Sequence, residues 1–316
     1  MSIHRTIIQS NYDSVLDPAA GASAARLTIA LKVTLVPLDP TAGASPPVRM
    51  SPGPAHLAHA FAGIRRGAVV DADGTPVRCR SWMDAEWNHF KIRFKSMVES
   101  SWNGQIILLP RDDVDPRDVL TDEDYRQFIS NPKVQAHAEG PLRIALLPGG
   151  PAVGHVIMEV VKLDDPSRNF RDRSLRISDQ SMFFKRHYDP RWPDTFFGQA
   201  SAAHEIGHWL HDLTTPVFAH EDADYAKALT PLPGETAAQF KKRQDREQYG
   251  HVLGKREALM GAGNVVTEYD AGPWLVRIRR HTRKLGWRYI HRINFDTIKY
   301  DPTPRQKQLA ASVTPH

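Results

Sequence analysis

Hydrophobic and polar residues alternate along residues 27–36, where Leu, Ile or Val occupies every second position from Leu27 to Leu35. A period of two is typical of a strand with one buried face. The next stretch, residues 37–55, is rich in Pro, Gly, Ser and Ala, which indicates a linker or an extended loop. We therefore predict an N-terminal strand and linker over residues 1–55, a main domain over residues 56–300 and a tail over residues 301–316.

A helical period follows Ser81-Trp-Met-Asp84, a segment that resembles a capping box with Asp in place of the usual Glu. Large apolar residues then recur every three or four positions, which is typical of a helix with one buried face. Gly104 suits the cap at the end of this helix. The stripe is expected to face the core and consists of Met83, Trp87, Phe90, Phe94 and Met97.

Further apolar runs predict strands, and a last helix is expected at about residues 273–285. The glycine-rich segment 149–154 predicts a hairpin turn and not a phosphate loop, because a strand-like segment follows it where a phosphate loop would open a helix. The order of these elements predicts the α+β fold class, with a mostly helical C-terminal part. The predicted strands are residues 105–109, 142–147, 155–163 and 175–178.

The segment from Ala203 to His211 carries the pattern H-E-x-x-H. On a helix, positions i and i+4 lie about 40° apart around the axis, so His204 and His208 share one face. Two neutral imidazoles at this spacing suit Zn²⁺. Glu205 can take a proton from a metal-activated water and pass it to a leaving amine. Gly207 costs a helix about 1 kcal/mol relative to Ala, and we expect it to allow another backbone to approach closely.

This segment resembles the active-site helix of the zincin metallopeptidases. The resemblance implies a zinc-dependent peptidase with a zincin-like α+β fold, in which a twisted mixed sheet and a backing helix support the H-E-x-x-H helix. It further implies that His204 and His208 bind the metal and that Glu205 is the general base and acid. It also implies that the last strand before this helix lines the cleft and pairs with an extended substrate. Residues 174–184 are the candidate for that strand.

A catalytic zinc needs three protein ligands and one open position. Metzincins extend the motif to H-E-x-x-H-x-x-G-x-x-H, whereas this chain has His211 in place of the Gly and Thr214 in place of the third His. A standard metzincin is therefore not predicted. His211 lies about 10.5 Å along a straight helix from His204, so we expect it to have a supporting or an exposed role.

Asp270 is the predicted third metal ligand, although Asp is also a favoured residue at the start of a helix. His251 is the next candidate, either as a ligand or as a catalytic donor to the oxyanion. Tyr249 and Tyr269 are alternative oxyanion donors.

Two other segments near these candidates allow more than one interpretation. Residues 220–225 (His-Glu-Asp-Ala-Asp-Tyr) contain several acidic residues and are interpreted as a solvated loop in preference to a set of ligands. Residues 258–263, directly after Glu257, resemble a Met-turn, in which a Met side chain forms an apolar floor under the metal. An ordinary glycine-rich turn is the alternative.

Net charge is +5 at a sequence pI of about 9.3, and we interpret the late cluster of basic residues as a solvated helix face in preference to a nucleic-acid surface. The single cysteine, Cys79, excludes an intrachain disulfide and a thiolate zinc cluster. No apolar run approaches the length of a membrane span, and the N-terminus lacks the apolar core of a secretory signal. We expect a protein that is cytoplasmic as synthesised, and export without a cleavable signal peptide stays open.

These features together predict a zinc metallopeptidase that acts on a protein or peptide substrate. One alternative is a non-peptidase zinc amidase or hydrolase, for which the same ligands would serve. Another is a degenerate zincin that acts as a binding or structural protein. Glu205 argues against the second alternative, because a purely structural metal site does not need this carboxylate.

Overall fold

The computed structural model describes residues 6–8, 12–17, 24–38, 64–65, 68–70, 76–110, 137–148, 154–165, 170, 172, 176–211 and 220–297. This part of the chain is α+β, with a mixed sheet and several helices. The strands are β1 (Thr6–Ile7), β2 (Asp13–Asp17), β3 (Ala24–Pro37), β4 (Ile64–Arg65), β5 (Ala68–Val70), β6 (Pro76–Arg80), β7 (Ile106–Pro110), β8 (His137–Glu139), β9 (Leu142–Leu147), β10 (Val156–Leu163), β11 (Arg176–Ser178), β12 (Phe184–His187), β13 (Phe197–Ala200) and β14 (Trp287–His291). The helices are α1 (Asp84–Trp102), α2 (Ser201–His211), α3 (Ala223–Ala228), α4 (Ala237–Glu247), α5 (Leu253–Arg256), α6 (Gly272–Thr282) and α7 (Arg292–Thr297).

The strand predicted at residues 27–36 is confirmed as β3, a central strand of the twelve-stranded main sheet. It pairs in parallel with β8, β9 and β10 and antiparallel with β2. Its alternate residues from Leu27 to Val33 are fully buried, as the period of two predicts. β3 is thus an integral part of the main sheet and not of a separate N-terminal piece, because its parallel partners all come after the Pro/Gly-rich stretch. Residues 39–63, which include most of that stretch, lie outside the described residues.

The predicted long helix is confirmed as α1. Gly104 follows its C-terminal end and has a left-handed backbone conformation, with φ of +79°. Its N-cap is Met83 and not the predicted Ser81, since the Glu86 carboxylate accepts a hydrogen bond from the Met83 backbone N–H at 3.3 Å. Met83 is 60% exposed, so the buried stripe begins further along the helix. Trp102, at its end, is fully buried and donates to the backbone carbonyl of Ala203 at 3.3 Å. This helix therefore supports α2 directly.

The four other predicted strands correspond to β7, β9, β10 and β11. The last predicted helix is α6, which ends at Thr282, before Arg283 in a left-handed conformation. β11 pairs in parallel with β10, and its three residues are buried. The predicted turn at 149–154 lies almost wholly outside the described residues. No sequence pattern predicted the antiparallel hairpin of β12 and β13, which leads directly into α2.

Residues 220–297 contain the five helices α3 to α7, and β14 returns to the main sheet beside β7. α6 packs near α2, and Trp274 of α6 stacks on Trp102 of α1 with ring centres 5.4 Å apart. α2 therefore packs against α1, α6 and the second strand of the hairpin that precedes it. None of the described helices has both the length and the apolar character needed to cross a membrane.

Candidate metal centre

The H-E-x-x-H segment forms the helix α2, in which every residue except His208 is buried. The ring centres of His204 and His208 lie 4.8 Å apart, which agrees with their predicted position on one helix face. Ala202 and Ala203 are fully buried, so small side chains allow the N-terminal turn of α2 to pack closely against its surroundings. The local sequence therefore places both imidazoles and Glu205 on a rigid, buried element.

A third imidazole, that of His220, completes the group. Its ring centre lies 5.4 Å from that of His204 and 4.9 Å from that of His208. One ring nitrogen from each of the three histidines lies within 4.8 Å of the other two. A tetrahedral zinc with bonds of about 2.1 Å separates its ligand atoms by about 3.4 Å, so modest rotations of the rings would close the group around an ion. These three histidines could hold a metal ion.

Hydrogen bonds fix the orientation of two of the rings. Nδ1 of His204 lies 2.9 Å from the backbone carbonyl oxygen of Leu259, and Nδ1 of His220 lies 2.9 Å from Oε1 of Gln248. Both oxygens only accept, so these contacts are hydrogen bonds in the tautomer whose Nδ1 carries the proton and whose Nε2 keeps its lone pair. Metal-binding histidines are commonly held in this way.

Nε2 of His220 is the atom that fits a metal best. It is buried and has no hydrogen-bond partner among the residues that the structure describes. A buried polar atom without a partner is costly, and a metal ion would satisfy the lone pair. Beside His204, the side-chain amide of Gln199 donates a hydrogen bond to the backbone carbonyl of Gly261 at 2.7 Å. This bond links β13 to the segment 258–263.

Burial also sets the charge of the three imidazoles. It lowers the pKa of His204 to about 3 and that of His220 to about 4, and it lowers the pKa of His208 well below its usual value. The neighbouring imidazoles act in the same direction on His204 and His208. All three rings are therefore neutral near pH 7, which is the form that binds metals.

Glu205 is buried in the same helix, with 7% of its surface exposed. Its Oε2 lies 3.9 Å from Nε2 of His208. This distance is too long for a hydrogen bond, so the carboxylate lies beside the histidine group without bonding to that ring.

Met260 explains the glycine inside the helix. A Cβ added at Gly207 would lie 2.1 Å from the sulfur of Met260 and 3.2 Å from the ring of Trp102. The close neighbour is thus a buried side chain. The prediction of a closely approaching backbone was wrong. Met260 belongs to the segment 258–263, which resembles a Met-turn, and its side chain packs directly against the helix that carries His204 and His208.

Replacing Gly207 by Ala is expected to lower the free energy of unfolding by up to about 2 kcal/mol. The gain in helix propensity is about 1 kcal/mol, but overpacking against the buried Met260 and Trp102 costs about 1–3 kcal/mol or somewhat more. Denaturant unfolding measures the difference. Gly254→Ala in α5 is the matched control, because an added Cβ there meets no atom within 4 Å; equal stability of the two variants would contradict the close packing at Gly207.

Asp270, the predicted third ligand, is fully buried but holds a loop together. Its carboxylate accepts hydrogen bonds from the backbone N–H groups of Met260 at 3.2 Å and Thr267 at 2.8 Å. Burial raises the pKa of this carboxyl to about 7. The described residues whose ligand atoms converge include His220 and not Asp270, so the structure brings a different residue to the pair.

His251, the predicted catalytic donor, is paired with Asp222. Its Nδ1 and its backbone N–H both contact Oδ2 of Asp222, at 2.5 Å and 2.8 Å, and its ring stacks on Tyr225 at 3.8 Å. Lys255 contacts the other oxygen of this carboxylate. Because Asp222 lies two residues after His220, these bonds anchor the segment that carries the third histidine.

The two tyrosines proposed as oxyanion donors occupy different places. The Tyr249 ring lies 4.3 Å from the His220 ring and 6.0 Å from the His204 ring, so it borders the histidine group. Tyr269 instead stacks on His211, with ring centres 4.7 Å apart. His211 is only 1% exposed. Of the two roles expected for it, a solvent-exposed position is therefore excluded and a supporting role beside the helix is left.

Sequence reasoning missed His220 because its segment was interpreted as a solvated loop. The available signal was its position, since it is the next histidine after α2 and lies twelve residues beyond His208. Sequence reasoning also missed Gln199, Gln248 and the carbonyl of Leu259, which come from three separate segments and have no spacing rule.

No protein-family model, curated protein or solved structure matches this chain. The fold and the site together define an α+β protein with a group of three neutral histidines, of which His204 is buried and the other two are partly buried, that could hold a metal ion. The function is therefore argued from this geometry alone.

Proposed function

We propose that this protein is a zinc-dependent metallopeptidase. The observation that carries the proposal is the convergence of His204, His208 and His220, with the carboxylate of Glu205 beside them. Catalytic zinc sites commonly have three protein ligands and keep one position open, whereas structural zinc sites have four. Three histidines together with a non-coordinating Glu fit the catalytic type.

The choice of zinc follows from the donor set. Three neutral imidazole nitrogens suit zinc, and also copper, iron and nickel, but not the hard cations that prefer oxygen. No thiolate contributes, because Cys79 is buried in a separate apolar cluster with Val69, Val77 and Val161. Zinc is the member of this set that needs no redox partner and favours tetrahedral geometry.

A zinc ion, when bound, supplies Lewis acidity that activates water and polarises a substrate carbonyl. Glu205 accepts the proton of the attacking water and passes it to the leaving amine, as a general base and then a general acid. Tyr249 borders the group, and we place it ahead of His251 as the donor that stabilises the developing oxyanion. Both assignments rest on the chain's own side chains.

Metal analysis of the purified protein, together with a peptidase assay on an unfolded protein substrate, tests this proposal. We expect about one zinc per chain, hydrolysis that a chelator abolishes, and recovery on adding zinc. Since the pKa of His204 and of His220 lies near 3 to 4, protons should displace the metal only below about pH 5. Absence of bound metal, or hydrolysis that the chelator leaves intact, would refute the proposal.

A further inference from the structure

The hairpin of β12 and β13 carries exposed aromatic rings on its outer face. Phe184 is 52% exposed and Phe196 is 62% exposed. A Cβ added at Gly198 would lie 3.1 Å from the Phe196 ring and 3.7 Å from the Phe184 ring, so the two rings flank a single glycine. Arg186 pairs with Gly198 across the hairpin. We name Phe184, Arg186 and Phe196 the aromatic platform.

Arg186 stacks on a ring of the aromatic platform, and Arg93 stacks on Phe183, an exposed residue directly before β12 and outside the platform. The guanidinium of Arg186 lies 4.9 Å from the centre of the Phe196 ring, and that of Arg93 in α1 lies 4.7 Å from the centre of Phe183. Neither forms an ion pair with any carboxylate in the described ranges. A guanidinium stacked on a ring keeps its N–H edges free to bind a carboxylate in a bidentate manner.

The inner face of the same hairpin supports the metal centre. Phe197 is 1% exposed, and Gln199 contacts His204. Because neighbouring residues of a strand point to opposite faces, the aromatic platform faces away from His204. A molecule bound on the platform would therefore add binding energy without touching the group that carries out hydrolysis.

We propose that the aromatic platform binds a segment of the protein substrate that carries acidic and apolar side chains, at a distance from the bond that is cut. This inference rests on the proposed function. The apolar side chains would cover the rings of Phe184 and Phe196, and a carboxylate would pair with Arg186. Exposed aromatic and arginine side chains of this kind are typical of the residues that dominate binding energy at interfaces. The net charge of +5 acts in the same direction, because it attracts acidic segments over longer distances.

Fluorescence anisotropy on the zinc-loaded Glu205→Gln protein tests the inference without hydrolysis. The probes are a labelled peptide that alternates Glu with Leu and Phe, a matched peptide with Lys in place of Glu, and a single-stranded oligonucleotide. We expect the acidic peptide to bind at least about tenfold more tightly than the basic one. Adding Arg186→Glu should weaken the acidic peptide by about tenfold or more and reduce the difference between the two peptides. Adding Phe196→Ala should weaken both peptides.

The matched control is Arg288→Glu on β14, an exposed residue of the main sheet. It makes the same change in net charge, and circular dichroism checks the fold of each variant. Equal loss in both charge variants, equal affinity for the two peptides, or preferential binding of the oligonucleotide would overturn the inference. Failure of the proposed function has a different signature: the acidic peptide would bind as expected, but the wild-type protein would hydrolyse no peptide.

Discussion

Replacing Glu205 by Gln is expected to lower the rate of peptide hydrolysis by about 10²–10⁴-fold or more, while zinc stays bound at about one ion per chain. Gln keeps the size of the side chain but cannot accept the proton of the attacking water. His204 keeps its hydrogen bond to the Leu259 carbonyl and His220 keeps its hydrogen bond to Gln248, so the histidine group itself should be unchanged.

Initial rates and metal content of the same preparations measure the two effects separately. Glu268→Gln is the matched control, because Glu268 is exposed and lies outside the histidine group. We expect this control to hydrolyse peptides at the wild-type rate. Full activity in the Glu205 variant would show that Glu205 is not the general base. Loss of zinc would show that this carboxylate contributes to metal binding and not to activation of the water.

Replacing His220 by Ala is expected to lower zinc affinity by about 100-fold or more and to abolish hydrolysis. The change removes one of the three converging ligands, which contributes more than the tenfold to hundredfold effect of a residue that only supports a ligand. Asp270→Asn, in contrast, should retain zinc. Its carboxylate accepts hydrogen bonds from the backbone N–H groups of Met260 and Thr267. This variant should therefore unfold more easily but keep its zinc.

Competition with a fluorescent zinc chelator measures these affinities. His89→Ala provides the control for His220→Ala, because His89 is an exposed histidine on α1. The comparison separates the ligand that the structure favours from the one that the sequence favoured. Zinc retained without His220 and lost in Asp270→Asn would make Asp270 the third ligand.

The elements that the sequence predicted well are those whose pattern is local. β3 shows a strict alternation, and α1 has an apolar stripe and a glycine at its end. α2 combines small residues with the H-E-x-x-H spacing. In each case the buried face follows from the period of the element itself. The strands of the β12–β13 hairpin read Phe-Lys-Arg-His and Phe-Gly-Gln-Ala, which have no apolar alternation, and they were not predicted.

The third histidine could not be predicted for a different reason. His220 reaches the pair through tertiary contacts, since its ring is oriented by Gln248 and its segment is anchored by Asp222 and His251. Asp270 looked suitable because it precedes α6, but its carboxylate is needed by two backbone N–H groups of a loop. Which of several polar side chains turns toward the pair of histidines depends on such long-range bonds and not on spacing.

The position of β3 also bears on how the chain acquires its structure during synthesis. Its parallel neighbours, β8, β9 and β10, all emerge from the ribosome at least a hundred residues later, as the pairing of Ile29 with Leu142 shows. The apolar strand β3 therefore stays without its parallel neighbours until they have been synthesised. This delay favours slow folding and association with chaperones. A fragment that begins after the Pro/Gly-rich stretch would lack this strand, and we expect it to aggregate, however complete its histidine motif.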